Sequence, residues 1–169
     1  PPSKNLIQIR AKDVMWQKER LLNHAIKSLP KSCKKVAWVD CDILFDRPDW
    51  AINASLALEE NKVVQLFEFA VRLPKDMIFF DGAGDWYTGF AHIYKSYPQI
   101  LTKGNFVLHG HTGFAWAAQR SLLEKHGLYD ACISGTGDHM MAHAFCCDWD
   151  YICTQGVVGA ESSYYRHYR

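Results

Sequence analysis

The sequence lacks any long run of apolar residues, and it has no apolar signal region at its start. Its uninterrupted apolar stretches are only a few residues long, whereas a membrane-spanning helix needs about 20. The sequence therefore predicts no transmembrane segment. Its first residues, Pro1-Pro2-Ser3-Lys4, also lack an initiator Met, so we expect a trimmed chain or a fragment.

Cysteine is sparse, and charge of either sign is not in excess. Six cysteines in 169 residues are too few for a disulfide scaffold, and none forms a Cys-x-x-Cys zinc pattern. We expect free thiols in a reducing compartment, and hence a cytoplasmic protein. Nineteen basic against 18 acidic residues give a net charge of +1, which predicts no nucleic-acid partner.

The chain has the length and apolar content of one folded domain. Its 169 residues match about one domain of typical size, and 49% hydrophobic residues can form a core that offsets the entropy of folding. Intrinsic disorder is therefore excluded. We expect a single domain over residues 1–169.

The first half of the chain alternates helices and strands. Asp13 can cap a helix of 3.6-residue apolar period that Pro30 ends. The short apolar run Val36–Val39 predicts a buried strand. A second helix is predicted over Trp50–Glu60, and the next strand over Val63–Val71. The order predicted so far is helix, strand, helix, strand.

The second half begins without a sustained period. Residues 74–105 combine glycines, prolines and aromatics, which predicts a long loop region with short elements. Gly113–Ala118 predicts a strand, and Ser121–Glu124 is a capping box for a helix that ends at Gly127. A further helix is predicted over Asp138–Cys147. The alternation indicates a layered α/β domain.

Two Asp-x-Asp segments occur, and their contexts differ. Asp40-Cys41-Asp42 follows the predicted buried strand, and ligands of open α/β sheets bind at the carboxyl ends of strands. The strand period of two is expected to place Asp40 and Asp42 on one face, where they can hold a hard divalent cation. The alternative is that both are turn residues. Asp148-Trp149-Asp150 precedes its apolar stretch, which indicates a solvated turn.

Four segments together resemble glycosyltransferases of the GT-A fold, in particular bacterial and viral members. Val36–Phe45 resembles the segment in which an apolar strand delivers Asp-x-Asp to a nucleotide-sugar. Trp16–Asn23 is similar to the helix before that strand. Gly110–Ala118 resembles the acceptor-side strand, and Gly135–Asp138 resembles the segment that carries a second acidic residue.

The resemblance implies a fold and a reaction. The fold is a three-layer αβα sandwich with a mixed central sheet, lacking the nucleotide-binding strand that in the family precedes the position of Lys12. The reaction moves a sugar from a nucleotide-diphosphate donor, UDP- or GDP-linked, to a saccharide or other hydroxyl acceptor. Asp40 and Asp42 would hold Mn²⁺ or Mg²⁺, with Asp40 also contacting the donor. A late histidine, His167, would complete the metal site.

Other residues are candidates for the acceptor side. Asp138, behind two glycines at a predicted helix start, is a candidate general base, and the alternative is a helix N-cap. Trp86 and Tyr87 lie in the predicted loop region and could stack on a sugar ring. Trp116 could do the same, although core packing is favoured at its strand position. His111 is a candidate substrate contact.

Two histidine pairs have metal-like spacing. His139 and His143 are four residues apart on a predicted helix, but the segment lacks the glutamate of a zinc protease motif. A packed or surface position is therefore favoured for both. His109 and His111 flank one glycine, and substrate contact or no role is expected for that pair.

Two alternatives to a transferase remain. A haloacid-dehalogenase-like phosphatase would use Asp40 as its nucleophile, but Ala142 stands where its later acidic motif requires a carboxylate after Gly137-Asp138. A truncated domain that binds a glycan or a protein partner without turnover is the non-catalytic alternative, because the first strand of the family is missing.

Overall fold

A computed structural model describes residues 6–82, 84–101, 108–146 and Tyr168. This part of the chain is α/β, as the sequence predicts, with six helices and five strands. The helices are α1 (Lys18–Ser28), α2 (Trp50–Glu60), α3 (Phe90–Ser96), α4 (Pro98–Leu101), α5 (Arg120–His126) and α6 (Gly137–Phe145). The strands are β1 (Lys35–Val39), β2 (Val63–Gln65), β3 (Phe69–Arg72), β4 (Asp85–Thr88) and β5 (Ala115–Gln119).

Strand β5 is the centre of a three-stranded sheet, with β1 on one side and β2 on the other. Both pairings are antiparallel, and Trp38 of β1 lies opposite Trp116 of β5. The first four residues of β5 are all buried, and helices α2 and α5 both contact this strand. The mixed sheet that the resemblance implies is not seen among the described strands, since each ladder of both sheets is antiparallel.

Strands β3 and β4 form a separate antiparallel pair. The single strand predicted over Val63–Val71 is wrong, because the chain leaves the first sheet after β2 and pairs with β4 instead. Gly89 follows β4 and donates its backbone N–H to the carbonyl of Glu68. A Cβ at Gly89 would lie 2.7 Å from the carbonyl oxygen of Phe67, so this close approach requires glycine.

Helix α1 begins at Lys18, five residues later than the predicted cap at Asp13. Val14 is fully exposed, so the start of the predicted apolar pattern does not pack against the core. Ile26, near the end of the helix, is buried. Strand β1 and helix α2 follow the predicted bounds closely, because their apolar patterns do face the core.

The predicted capping box at the start of α5 is wrong. Helix α5 begins at Arg120 with no side-chain cap, and Ser121 is exposed within its first turn. Glu124 accepts a hydrogen bond from Nε of Arg120 at 2.8 Å. The later helix, α6, begins at Gly137, close to its predicted start at Asp138.

The core lies between the three-stranded sheet and the helices α1, α3, α5 and α6. Its larger buried side chains come from these elements and from the segment after α5: Ile26, Trp38, Phe90, Trp116, Leu123, Leu128, Tyr129, Met140 and Met141. Within the described ranges, no helix combines the length and apolarity needed to cross a membrane. The four cysteines that the structure describes, Cys33, Cys41, Cys132 and Cys146, are free thiols.

The Arg120 side chain connects the segment after α1 to the end of β5 through hydrogen bonds. Its guanidinium is buried and donates hydrogen bonds to the carbonyls of Leu29, Pro30 and Cys33. A positively charged planar donor group is well suited to several carbonyls at once. The connection between α1 and β1 is therefore held to the sheet by one side chain.

We predict that Arg120→Met lowers the free energy of unfolding by about 3 kcal/mol, since hydrogen bonds to a charged group are lost and buried carbonyls stay unsatisfied. Urea denaturation measures the loss. The matched control is Glu124→Gln, which should cost less than about 1 kcal/mol because the Glu124 side chain is 59% exposed. Equal losses in the two variants would contradict this account.

Candidate functional site

Two of the predicted site carboxylates lie on either side of one lysine. Nζ of Lys18 is 2.7 Å from Oδ1 of Asp40 and 3.0 Å from Oδ2 of Asp138. The three side chains are each between about a quarter and a third exposed. We call Lys18, Asp40 and Asp138 the acidic site. It joins the start of α1, the end of β1 and the first turn of α6.

Asp40 occupies its position because β1 ends one residue earlier. Its backbone N–H donates to the carbonyl of Phe114 at 2.8 Å, and its own carbonyl accepts from the N–H of Ile43 at 3.3 Å. The chain therefore turns at residues 40–43, and Asp42 is exposed in that turn. The strand period of two does not extend to Asp40 and Asp42, because the strand ends at Val39.

Asp138 lies within the first turn of α6, and it is not the helix cap. The cap position is Thr136, which has a left-handed backbone with φ of 72°. A carboxylate in the first turn is favoured by the helix dipole, while the Asp138 side chain contacts Lys18. A Cβ at Gly113 would lie 3.1 Å from Oδ2 of Asp138 and 3.3 Å from Cε1 of His111. Glycine there lets those two side chains approach.

The two carboxylates determine the charge state of Lys18. Burial lowers the pKa of Lys18, but the hydrogen bonds and the charges of Asp40 and Asp138 outweigh burial and hold the pKa above its ordinary value. Lys18 is therefore an ammonium at neutral pH. Its positive charge offsets the repulsion that two neighbouring carboxylates would otherwise have.

Glu19 lies beside the acidic site and is almost fully buried, with 2% of its surface exposed. Its Oε2 accepts a hydrogen bond from Nε1 of Trp16, and its Oε1 has no partner among the described residues. A Cβ at Gly137 would lie 2.6 Å from Oε1. Burial raises the pKa of Glu19, and the charge of Asp138 raises it further.

His111 and Tyr87 form an aromatic wall beside the acidic site. His111 stacks on Phe114 with ring centroids 3.7 Å apart, and the edge of Tyr87 meets it at 5.5 Å. Burial lowers the pKa of His111, although the charges of Asp138 and Asp40 oppose that effect. The guanidinium of Arg72 lies over the Tyr87 ring at 5.5 Å. His111 therefore lies near the carboxylates, and Tyr87 packs against His111.

Trp86 and Trp116, the other two aromatic residues predicted to contact a sugar, lie in different environments. Trp86 is 57% exposed and packs edge-on against Phe69 and Phe80, so one part of its ring is open to a ligand. Trp116 is 4% exposed, and its ring packs against Phe145 in the core. The structure thus gives Trp116 the packing role that its strand position favours.

Three residues for which the sequence makes predictions lie outside the described residues. They are His167, which the resemblance makes a metal ligand, and the pair Asp148 and Asp150, for which the sequence indicates a solvated turn.

Three buried histidines form a second group. His109 precedes β5, while His139 and His143 lie one turn apart on α6. One ligand atom of each ring lies within 4.8 Å of those of the other two. The sequence predicts them in two separate pairs, and it gives no local signal that the segment before β5 packs against α6.

Sequence reasoning also missed Lys18 and Glu19. Their partners are far away in the chain, since Lys18 and Asp138 are separated by 120 residues. The one available signal is Glu19 itself, a charged residue on the helix face that carries Ile26 into the core.

No protein-family model, no curated protein and no solved structure matches this chain.

We predict that Glu19→Gln flattens the pH dependence of stability. Because burial raises the pKa of folded Glu19 above its ordinary 4.5, the native state binds more protons than the unfolded state over the interval between the two values. The wild-type free energy of unfolding should therefore fall as the pH rises through that interval. Urea denaturation at a series of values from about pH 4 to about pH 8 measures the slope.

The control for this prediction is Glu60→Gln, at the exposed end of α2. It should leave the slope unchanged. A Glu19→Gln variant that follows the wild-type curve throughout would show that Glu19 titrates alike in the folded and unfolded chain.

Proposed function

We propose that the protein is a metal-dependent glycosyltransferase with a GT-A-like three-layer fold, which moves a sugar from a nucleotide-diphosphate donor to an acceptor hydroxyl. One observation supports it most: Asp40 of the Asp-x-Asp segment and Asp138 of the second acidic segment contact the same ammonium. These are the two segments in which the resemblance to that family expects donor-side and acceptor-side carboxylates. Their positions in the chain are almost a hundred residues apart.

The residues at the end of β1 suit a hard divalent cation. Asp40 and Asp42 offer carboxylate oxygens, and Mg²⁺ and Mn²⁺ prefer such ligands together with waters and substrate phosphates. Asp42 is exposed, and the Asp40 side chain is 31% exposed, so both can be reached from solvent. A bound Mn²⁺ or Mg²⁺ would neutralise the charge that develops on a departing diphosphate. His167 is the proposed additional ligand.

Lys18 has a positioning role in this proposal. Its ammonium keeps Asp40 and Asp138 together, and as a compact point charge it is also a suitable contact for a phosphate oxygen. A donor diphosphate that binds near Asp40 would therefore meet one positive charge already supplied by the protein.

Asp138 would act on the acceptor. In an inverting transfer, its carboxylate accepts the proton of the acceptor hydroxyl while the hydroxyl oxygen forms a bond to the anomeric carbon. The bond from that carbon to the diphosphate oxygen breaks, and the diphosphate leaves with its electron pair. A positioned base contributes about 10²–10⁴-fold to such a step.

The aromatic residues would hold the sugar. His111 lies against the acidic site, and the ring of Tyr87 meets the His111 ring edge-on. Trp86, two residues before the end of β4, has a ring open to solvent that suits the apolar face of a pyranose. The sugar would thus lie between the carboxylates and the β3–β4 pair.

We predict that Asp42→Asn weakens the Mn²⁺-dependent binding of UDP or GDP at least about tenfold, since one of two hard ligands loses its charge. Isothermal titration calorimetry with each nucleotide, with and without Mn²⁺, measures the affinity. The matched control is Asp46→Asn, four residues further along and also exposed. Equal metal-dependent affinity in wild type and Asp42→Asn contradicts the donor site. No binding of either nucleotide favours the non-catalytic glycan- or partner-binding domain.

For Asp138→Asn we expect donor binding to remain within about threefold of wild type while turnover at saturating donor falls about 10²–10⁴-fold. Turnover is followed as release of nucleoside diphosphate, and stability is measured in parallel by thermal denaturation. Loss of stability and donor affinity together, without a specific loss of turnover, would show that Asp138 has a structural role only.

A further inference from the structure

We propose that His109, His139 and His143 form a buried binding site for Zn²⁺, separate from the carboxylates of the acidic site. This inference does not depend on the proposed transferase activity. It rests on the convergence of three imidazole rings from two segments of the chain that the fold brings together.

The geometry of the group is close to that of a metal site. One ring nitrogen of each histidine lies within 4.8 Å of the nitrogens of the other two. Nitrogen ligands about 2.0–2.1 Å from a tetrahedral zinc lie about 3.4 Å from one another. The separations of these nitrogens are therefore at most about 1.4 Å longer than those around one zinc ion.

The two helical ligands are already on one face. His139 and His143 are four residues apart on α6, and their ring centroids are 4.7 Å apart. Residues at this spacing project from the same side of a helix. The His109 ring completes the group at 4.9 Å from His139 and 5.7 Å from His143.

A hydrogen bond defines which nitrogen of His109 can bind a metal. Nδ1 of His109 lies 2.7 Å from the carbonyl oxygen of Gly110, and a carbonyl only accepts, so Nδ1 carries the proton. In the neutral ring Nε2 then carries the lone pair. A backbone carbonyl on the distal nitrogen is the usual partner that orients a metal-binding histidine.

Burial keeps the rings of His109 and His143 neutral, which is the form that binds metals. Each histidine is at most 5% exposed. Burial lowers the pKa of His109. Burial, together with the neighbouring rings of His139 and His109, lowers the pKa of His143 to about 3. At neutral pH the cation would therefore not compete with protons at these two positions.

One side of the histidine group is closed by an apolar side chain. Phe90 is completely buried and meets His109 and His143 edge-on at 5.7 and 4.9 Å, so the site has an apolar wall.

The ligand set selects the class of cation. Imidazole nitrogen suits Zn²⁺ and other borderline cations, whereas Mn²⁺ and Mg²⁺ prefer oxygen. His139 directly follows Asp138, so zinc held by this group would fix the first turn of α6 against the segment before β5. The ion would thus stabilise the fold next to the acidic site.

The test uses the full chain after dialysis against a chelator. Calorimetry with ZnCl₂ should show about one equivalent bound with a Kd below about 1 μM, and the melting temperature should rise on adding zinc. Co²⁺ in place of zinc should give the visible absorption bands of a tetrahedral site, without the near-ultraviolet bands of thiolate ligands. The variants His139→Asn and His143→Asn should each weaken zinc binding at least about tenfold, because a ligand is lost.

The control is His126→Asn, at the exposed end of α5, which should bind zinc like the wild type. Wild-type protein that binds neither Zn²⁺ nor Co²⁺ overturns the proposal and makes the three rings a packing cluster. Thiolate bands, or variants that bind zinc as tightly as wild type, overturn it too. If both variants fail to fold by circular dichroism, the cobalt spectrum of the wild type decides alone.

Discussion

The ammonium of Lys18 is the interaction on which the candidate site depends. Asp40 and Asp138 come from distant parts of the sequence and would repel each other as neighbours. Lys18 contacts both within 3.0 Å, and it does so from the first residue of α1, whose later residue Ile26 is fixed in the core. The position of one helix thus determines whether two distant carboxylates can share a site.

Strand β5 supplies the frame for that arrangement. It lies between β1 and β2, and its buried alanines leave room for the side chains of the flanking elements. The carbonyl of Phe114, just before β5, holds the backbone of Asp40. Gly113, one residue earlier, leaves space for Asp138 and His111. A short stretch of chain therefore positions residues from three different parts of the sequence.

Local patterns predicted much of this fold. Helix α2 and strands β1 and β5 appear close to where their apolar periods place them, because each pattern meets the core directly. The predicted start of α1 is too early, since Val14 is exposed to solvent. The division into β2 and β3 was missed, because a single apolar run does not reveal that the chain changes partner strands.

The site was only partly predictable for a related reason. Asp40 and Asp138 stand out through strand ends and glycines, which are local signals. The roles of Lys18 and Glu19 depend on contacts with residues far along the chain. The sequence of their own helix gives little indication of those contacts. The histidines are similar, because only the packing of α6 against the segment before β5 unites His109 with the other two.

Two kinds of donor atom are thus gathered near the start of α6, with carboxylate oxygens in one group and imidazole nitrogens in the other. The central claim is that the carboxylate oxygens take part in sugar transfer from a nucleotide-sugar donor. The most direct measurement is chromatography of nucleoside diphosphate released from UDP- and GDP-linked sugars in the presence of Mn²⁺. Release from one of them that stops when Mn²⁺ is chelated is the predicted result. No release from any donor, or inorganic phosphate released from a phosphomonoester through Asp40 instead, would contradict the account.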